Sequence, residues 1–215
     1  MLVLAFDTAT PAVTAALHDG ERVLAESTTI DARRHGELLA PTIERVLAES
    51  GASLRDVTAV VAGSGPGPYT GLRVGLMTAQ GLSTTLGVPS YGVCTLDAVA
   101  FGSGLAEPFL VATDARRKEV FWGRYADMRT RVEGPFVHRP AEVPVEGLPV
   151  VGAGAALYPE IYGNRSDVPP YPDAGALAAL AAERLAEGAP LDPPRPIYLR
   201  RPDAVAPGAP KRVTA

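Results

Sequence analysis

The chain has 215 residues, of which 47% are hydrophobic and 20% charged, and its formal net charge is −4. This composition is typical of a globular protein and excludes an intrinsically disordered one. Residues 1–100 carry 10 acidic residues and 6 arginines, and residues 101–215 are balanced. Neither half therefore has the basic character that a primary nucleic-acid-binding domain normally shows.

The cysteine content and the N-terminus bear on the compartment. Cys94 is the only cysteine, so no intrachain disulfide can form, which fits a reducing cytoplasm. Its apolar surroundings favour a packing role over a reactive one. Asp7 interrupts the first apolar run too early for a signal peptide, and no run of about 20 apolar residues predicts a membrane span. We therefore expect a cytoplasmic protein.

The first half of the chain predicts three strands followed by alternating helices and strands. Continuous or alternating apolar patterns predict strands. Apolar residues at helical spacing, each run followed by glycine, predict the helices. The predicted strands are 2–6, 12–17, 22–28 and 57–62, and the predicted helices are 34–50 and 70–86, with Thr70 as the N-cap of the second.

The second half begins as the first half does, with an apolar strand that ends in aspartate and a second strand six residues later. Strands are predicted at 109–113, 120–125 and 150–151, and a helix at 174–187. Residues 190–210 are rich in proline and predict an extended arm, within which 197–199 adds a strand or packs as an extended segment. The order predicts an α/β fold, and the repeated hairpin suggests two related subdomains, 1–100 and 101–215.

The turn after the first strand carries a candidate chemical group. Asp7 and Thr8 follow the strand directly, and a carboxylate at such a position can hold a metal-bound water or orient a nucleophile. The alternative is a turn in which the aspartate accepts hydrogen bonds from nearby backbone N–H groups. Ala9 stands where phosphate-binding turns have glycine, which favours the structural alternative.

A glycine-rich loop, residues 63–71, precedes the helix predicted at 70–86. Glycines before a helix N-terminus resemble a phosphate cradle, but no Gly-Lys-Ser/Thr ending follows, so it is not a Walker loop. Pro66 and Pro68 remove two N–H donors and stiffen the loop. A fixed docking shape therefore suits the loop better than an anion site, and Asp7, Thr8, Gly65 and Gly67 remain candidates for a vestigial nucleotide or phosphate loop.

Small residues recur every fourth position along this helix, at Gly71, Gly75, Ala79, Ser83 and Gly87. Glycine inside a helix costs up to about 1 kcal/mol relative to alanine, so the stripe requires another backbone to approach closely. That neighbour is either the chain's own core or another chain, and the sequence leaves both open.

The three histidines do not form a metal motif. His35 lies at the start of the first predicted helix, but position 39 is leucine, which excludes a helical His-x-x-x-His site. His35 and Glu37 are instead candidates for capping the helix or contacting a partner. We predict no metal site and no catalytic residue.

Three segments together resemble one family. They are LAFDTAT, RRHGELLAPTIERVL and, most specifically, GSGPGPYTGLRVGL, with support from DARRKEVFWGRY and PIYLRRPDA. The chain resembles the TsaB (YeaZ) family from residue 1 to about residue 204. The loop departs from the family pattern at Pro68, and Gly36 departs from it in the second segment. The resemblance implies a duplicated actin/Hsp70/sugar-kinase-like (ASKHA) fold with two small subdomains.

The resemblance also implies a function. TsaB-like chains are partner subunits of the bacterial complex that transfers a threonylcarbamoyl group to N6 of adenosine 37 in ANN-decoding tRNAs. A larger paralogue, TsaD, carries the metal-bound catalytic site, and a small ATPase, TsaE, joins the complex. We therefore expect no tightly bound cofactor here, with ATP and Mg²⁺ used by the partner subunits. We also expect only indirect contact with tRNA.

The family's pairing surface lies on the first two helices of the N-terminal subdomain, and some members pair with a second copy through it. The matching positions here are His35, Glu37, Leu38, Leu39, Thr42, Val46, Gly71, Leu72, Arg73, Gly75, Leu76 and Ala79.

Two other functions compete with the scaffold role. One is a stand-alone ATPase or metallopeptidase-like enzyme of the same fold, which the missing histidine pair and phosphate loop disfavour. The other is a direct tRNA-binding module, which the negative charge of residues 1–100 disfavours. Arg116, Arg117 and Lys118 form one basic cluster and Arg200 and Arg201 another, and either could make an auxiliary phosphate contact.

Overall fold

Two β-sheets, one from each half of the chain, form the framework of the computed structural model, which describes residues 1–163 and 168–200. The predicted proline-rich arm can be followed only to residue 200; its remainder, including Arg201, lies outside the described residues. The described part of the arm runs extended. Asp192 bridges to Gly92, and the N–H of Ile197 donates to the carbonyl of Ser64 at 2.8 Å.

The first sheet has five strands in the order β3-β2-β1-β4-β5. β1 lies antiparallel to β2 and parallel to β4. Its strands are β1 (Val3–Asp7), β2 (Ala12–His18), β3 (Val23–Ile30), β4 (Ala59–Gly63) and β5 (Ser90–Val93). Every residue of β1 and β4 is buried, as expected for continuous apolar strands at the centre of a sheet.

Helices cover both faces of this sheet. On one face, α1 (His35–Ser50) and α2 (Tyr69–Leu86) bury an apolar cluster that includes Leu4, Phe6 and Leu72. The opposite face carries α6 (Ala174–Ala186), which packs on β1 and β2 through residues such as Leu177. The remaining helices are α3 (Thr95–Ser103), α4 (Ala153–Leu157) and α5 (Pro159–Tyr162).

The second sheet repeats the strand connections of the first. Its strands are β6 (Phe109–Asp114), β7 (Val120–Asp127), β8 (Thr130–His138) and β9 (Val150–Val151), in the order β8-β7-β6-β9. β6 lies antiparallel to β7 and parallel to β9, as β1 does to β2 and β4. The repeated topology confirms the predicted duplication and the ASKHA-type α/β fold.

The predicted boundary at residue 100 divides the strands of the two sheets, but the helices packed on the sheets do not divide at the same point. α6 comes from the second half of the chain, yet it covers the first sheet. α3 packs against α6 on one side and against β6 and β7 on the other, with Leu96 and Val99 in contact with Phe109 and Val111. The two subdomains therefore share a helical layer.

The sequence analysis did not predict α3 or β8, and each was missed for a physical reason. α3 is apolar on most of its surface, so it has no helical period to detect. β8 contains Gly134 and Pro135, which disfavour a strand. One boundary was also wrong: α2 begins at Tyr69 after Pro68, so Thr70 is not its N-cap. Cys94 is buried, as predicted.

Candidate partner-binding surface and inter-sheet cleft

The turn after β1 is tied to α3 through Asp7. Its Oδ2 accepts a hydrogen bond of 2.6 Å from the Thr95 hydroxyl, and its Oδ1 accepts one of 2.6 Å from the N–H of Ala9. Asp7 is fully buried, and this burial raises the pKa of its carboxyl, against the lowering effect of the two hydrogen bonds. The carboxyl therefore has a structural role in this structure.

The glycine loop packs against the same turn. A Cβ at Gly63 would overlap the Asp7 carboxyl, and one at Gly67 would overlap the carbonyl of Ala9. The N–H of Gly65 donates to the Thr95 hydroxyl at 3.1 Å. These glycines therefore allow the loop to pack directly against the turn after β1. The vestigial phosphate loop at Asp7, Thr8, Gly65 and Gly67 stays a prediction.

Thr8 explains the small residues of α2. Its hydroxyl donates to the carbonyl of Gly71 at 2.7 Å and accepts from the N–H of Gly75 at 3.0 Å. A Cβ at Gly71 would lie 2.5 Å from the Thr8 carbonyl oxygen, and one at Gly75 would lie 2.7 Å from the Thr8 hydroxyl. The stripe at Gly71, Gly75 and Ala79 therefore faces the chain's own core. A partner surface along this stripe is excluded in this structure.

His35 joins α1 to the turn between β1 and β2. Its Nε2 lies 2.8 Å from the carbonyl oxygen of Thr10, which can only accept, so Nε2 carries the proton of this hydrogen bond. The residue at the N-cap position, Arg34, makes no side-chain capping bond. His35 thus positions α1 and does not cap it.

Burial divides the twelve predicted interface residues into two groups. Eight lie in the chain's own core and present no contact surface: Leu39, Thr42, Val46, Gly71, Leu72, Gly75, Leu76 and Ala79. Glu37 and Arg73 are exposed, whereas His35 and Leu38 are half-buried. The eight buried residues pack α1 and α2 against the sheet and against each other. Only the exposed faces of these helices are accessible to another molecule.

The outer face of α2 is unusual for a surface helix because it is almost uncharged. Arg73 is the only charged residue among the 18 of the helix. Met77 is 59% exposed, and its exposed neighbours are Thr70, Gln80, Gly81, Thr84 and Thr85. Surface helices normally carry charges on their outer face. The sequence analysis did not identify Met77 as a surface residue. Its helical position between Arg73 and Gln80 is the signal that would have placed it on the outer face of α2.

A cleft lies between the two sheets, next to the start of α2. Three adjoining cavities of about 480, 400 and 230 Å³ share Pro68 and Arg116 in their linings. The first sheet contributes Thr10 and Arg33, and the hairpin between β6 and β7 contributes Arg116. The cleft therefore brings together cationic residues from distant parts of the sequence.

The described residues contain neither a candidate metal-binding cluster nor a candidate membrane-spanning helix. In residues 1–163 and 168–200, no group of three or more histidine, cysteine, aspartate or glutamate side chains is placed to hold a metal ion. No helix in these ranges is both long enough and apolar enough to cross a membrane.

Comparisons with known proteins identify related chains. Residues 22–157 match the family model "TsaD: tRNA N6-adenosine threonylcarbamoyltransferase". An uncharacterized protein of Mycobacterium tuberculosis is 45% identical over 205 residues, covering 94% of this chain and 93% of that protein. "tRNA threonylcarbamoyladenosine biosynthesis protein TsaB" of Escherichia coli is 40% identical over 128 residues, covering 58% of this chain and 55% of that protein. The structure "YeaZ from Pseudomonas aeruginosa" superposes with a TM-score of 0.77 at 30% identity, covering 92% of this chain and 99% of that one.

Proposed function

Since the chain belongs to the TsaB (YeaZ) family, we propose that it is a non-catalytic partner subunit in the synthesis of threonylcarbamoyladenosine on tRNA. In this proposal it pairs in the cytoplasm with the catalytic paralogue TsaD, and the ATPase TsaE joins the pair. ATP and Mg²⁺ are used by those subunits. The chain supplies a shaped surface and performs no group transfer itself.

The outer face of α2 carries this proposal. This exposed helix face has a methionine at its centre, small polar residues around it and one charge at its edge. The cores of protein–protein interfaces are depleted in charged residues in the same way. Methionine is flexible and polarisable, and it is over-represented in protein-binding surfaces. α1 also presents two uncharged exposed residues, Ala40 and Pro41. A second helix pair fits such a surface well.

The turn after β1 supports the non-catalytic part of the proposal. The carboxyl of Asp7, which corresponds by position to a catalytic or metal-binding group in phosphotransfer folds, is engaged with Thr95 and Ala9. The N–H of Gly65 is engaged as well. Neither group is available to a substrate without breaking a buried hydrogen bond, which costs about 1–3 kcal/mol for each group left unpaired.

The pairing is tested with Met77→Asp, which places a charge at the centre of the α2 face. We expect at least a tenfold loss of affinity for TsaD in co-purification and titration, because the charge would be buried without a partner. The monomer should keep its melting temperature, since Met77 makes little contact with the core. Val132→Asp is the matched control, because Val132 is 54% exposed on β8 and should leave the pairing unchanged.

The same experiment examines the alternatives. Unchanged TsaD binding by Met77→Asp, with the wild-type melting temperature, would contradict the assigned surface. Size exclusion of the chain alone shows whether a second copy uses the same face, in which case Met77→Asp also dissociates the homodimer. Modified tRNA produced by the chain alone, without TsaD, would refute the non-catalytic role.

A further inference from the structure

The hairpin loop between β6 and β7 has a backbone conformation that its residues normally avoid. Arg116, Arg117 and Lys118 have φ angles of 59°, 57° and 60°, which is the left-handed region. Side chains with a Cβ are disfavoured there, and single glycine, asparagine or aspartate residues are its usual occupants. Three consecutive long basic residues in this conformation require support from the surrounding structure.

That support comes from both sides of the loop. The carboxylate of Asp114 accepts the N–H of Arg116 at 2.7 Å, and the N–H of Ala115 donates to the carbonyl of Glu119 at 3.0 Å. From the C-terminal segment, the guanidinium of Arg200 donates to the carbonyl of Ala115 at 2.7 Å and forms an ion pair with Glu119. The loop is therefore held in one shape, with all three basic residues exposed.

The loop stands at the mouth of the inter-sheet cleft. Arg116 lines all three cavities, and Arg117 and Arg200 line the largest. Arg33 lines the smallest from the side of the first sheet. Among the described residues that line these cavities, the four arginines outnumber a single carboxylate, that of Asp114.

An aromatic platform lies in the same cavity. The rings of Tyr69 and Tyr198 stack with centroids 5.6 Å apart, and Tyr69 is 53% exposed. The guanidinium of Arg73 lies 4.4 Å from the Tyr69 centroid. Arginines along a groove together with exposed aromatic rings form the arrangement in which proteins bind the phosphates and unpaired bases of RNA.

We propose that the basic hairpin (Arg116, Arg117 and Lys118) binds phosphates of the tRNA backbone when the complex assembles. This inference rests on the proposed function, which supplies the RNA. It revises the expectation of purely indirect tRNA contact, which came from the net charge. Charges are screened over about 8 Å at physiological ionic strength, so the local cluster decides this contact and distant carboxylates do not.

An acidic segment of a partner protein is the other polyanion that could bind the hairpin. The hairpin does not lie on α1 or α2, and its cavity is also lined by the exposed rings of Tyr69 and Tyr198, which stack on each other. The ion pair between Arg116 and Asp114 spans 3.4 Å at a half-exposed position, so it is weak enough to be exchanged for a phosphate. These features favour RNA.

The test removes the three charges and keeps the loop conformation. Asparagine tolerates the left-handed region, so the triple variant R116N/R117N/K118N should fold with the wild-type hairpin. The control is R22N/R55N, which removes two exposed arginines at the opposite end of the first sheet from the Asp7 turn. Labelled transcript of a tRNA substrate is titrated with the reconstituted complex at several salt concentrations.

We expect the triple variant to weaken tRNA binding by about tenfold or more. It should also reduce the slope of log K against log salt concentration by about 2–3, close to one unit per lost phosphate contact. The control should keep the wild-type slope. TsaD binding, measured by size exclusion, should be the same for all three proteins.

Each outcome separates the two proposals. A wild-type salt slope for the triple variant, in a complex that modifies tRNA, would overturn the RNA contact and leave the partner role intact. Loss of TsaD pairing by the triple variant would assign the hairpin to a protein contact and also overturn it. If the wild-type chain neither pairs with TsaD nor restores modification, the proposed function itself fails.

Discussion

Thr95, the first residue of α3, donates a hydrogen bond of 2.6 Å to Asp7, the last residue of β1. The two residues are 88 positions apart, and both are buried. The same hydroxyl accepts the N–H of Gly65 from the glycine loop. Thr95 therefore joins the central strand, the loop that leads into α2 and the helix that is shared by the two subdomains.

Removal of this hydroxyl should destabilise the whole chain. Thr95→Val leaves Oδ2 of Asp7 and the N–H of Gly65 without a hydrogen-bond partner, and we expect the free energy of unfolding to fall by about 2–3 kcal/mol. Thr95→Ser keeps the hydroxyl and should lose about 1 kcal/mol. Urea titration followed by circular dichroism compares the two. Equal stability of the valine and serine variants would contradict the assigned role.

Two glycines of α2 should respond in opposite directions to alanine. Gly75→Ala places a Cβ 2.7 Å from the Thr8 hydroxyl and should lower the free energy of unfolding by about 1–3 kcal/mol. A Cβ at Gly81 would meet nothing within 4 Å, so Gly81→Ala should raise it by about 0.5–1 kcal/mol. Thermal unfolding of both variants measures the difference. A stable Gly75→Ala protein would mean that the stripe does not pack on Thr8.

Stability should fall as pH rises from about 4.5 to about 7 because of Glu26. Burial of its carboxyl end against the start of α6, together with the neighbouring Asp173, raises the pKa of Glu26 from 4.5 to about 7. Between these values the folded chain holds a proton that the unfolded chain releases, so stability is lost with rising pH. Since much of the residue is exposed to solvent, the effect should be only about 1 kcal/mol.

Glu26→Gln isolates this effect. The variant should unfold with a flatter pH profile and be more stable than the wild-type chain at pH 8, because the amide carries no charge beside Asp173. Chemical denaturation at pH 5, 6, 7 and 8 gives the two profiles. Parallel profiles over this range would show that Glu26 titrates normally.

The thiol of Cys94 should resist modification in the folded chain. Burial, with the nearby Asp97 carboxylate adding to it, raises the pKa of Cys94 to about 12, so almost no thiolate exists at pH 8. We expect a thiol-specific disulfide reagent to label the protein rapidly only in denaturant. Labelling within minutes in native buffer, with the melting temperature unchanged, would contradict the buried position.

Much of the framework could be read from the sequence. The continuous apolar runs at β1 and β4 predicted central strands, and the glycines after α1 and α2 predicted the helix ends, since a left-handed terminal residue favours glycine. The repeated strand–aspartate–strand pattern predicted the duplicated topology. The family resemblance rested on local motifs, which lie in contiguous segments and need no tertiary structure to be seen.

The direction in which each helix face points could not be read in this way. The small-residue stripe of α2 was compatible with a partner or with the core, because helical spacing defines a face but not its neighbour. Thr8 decided the matter by hydrogen-bonding to Gly71 and Gly75. Likewise, the spacing of the loop glycines did not show what lies against them; in the structure the turn after β1 packs against Gly63 and Gly67.

The sequence by itself therefore determined the central strands and their buried character, the helices α1, α2 and α6, and the family, but it did not reveal α3 or β8. Only the tertiary structure decided which residues are presented to other molecules. Met77 is exposed while Gly75 is buried, and Arg33, Arg116 and Arg200 meet at one cleft although they lie in distant parts of the sequence. The physical reason is that exposure and proximity depend on long-range packing between sheets and helices, whereas element type depends mainly on local pattern.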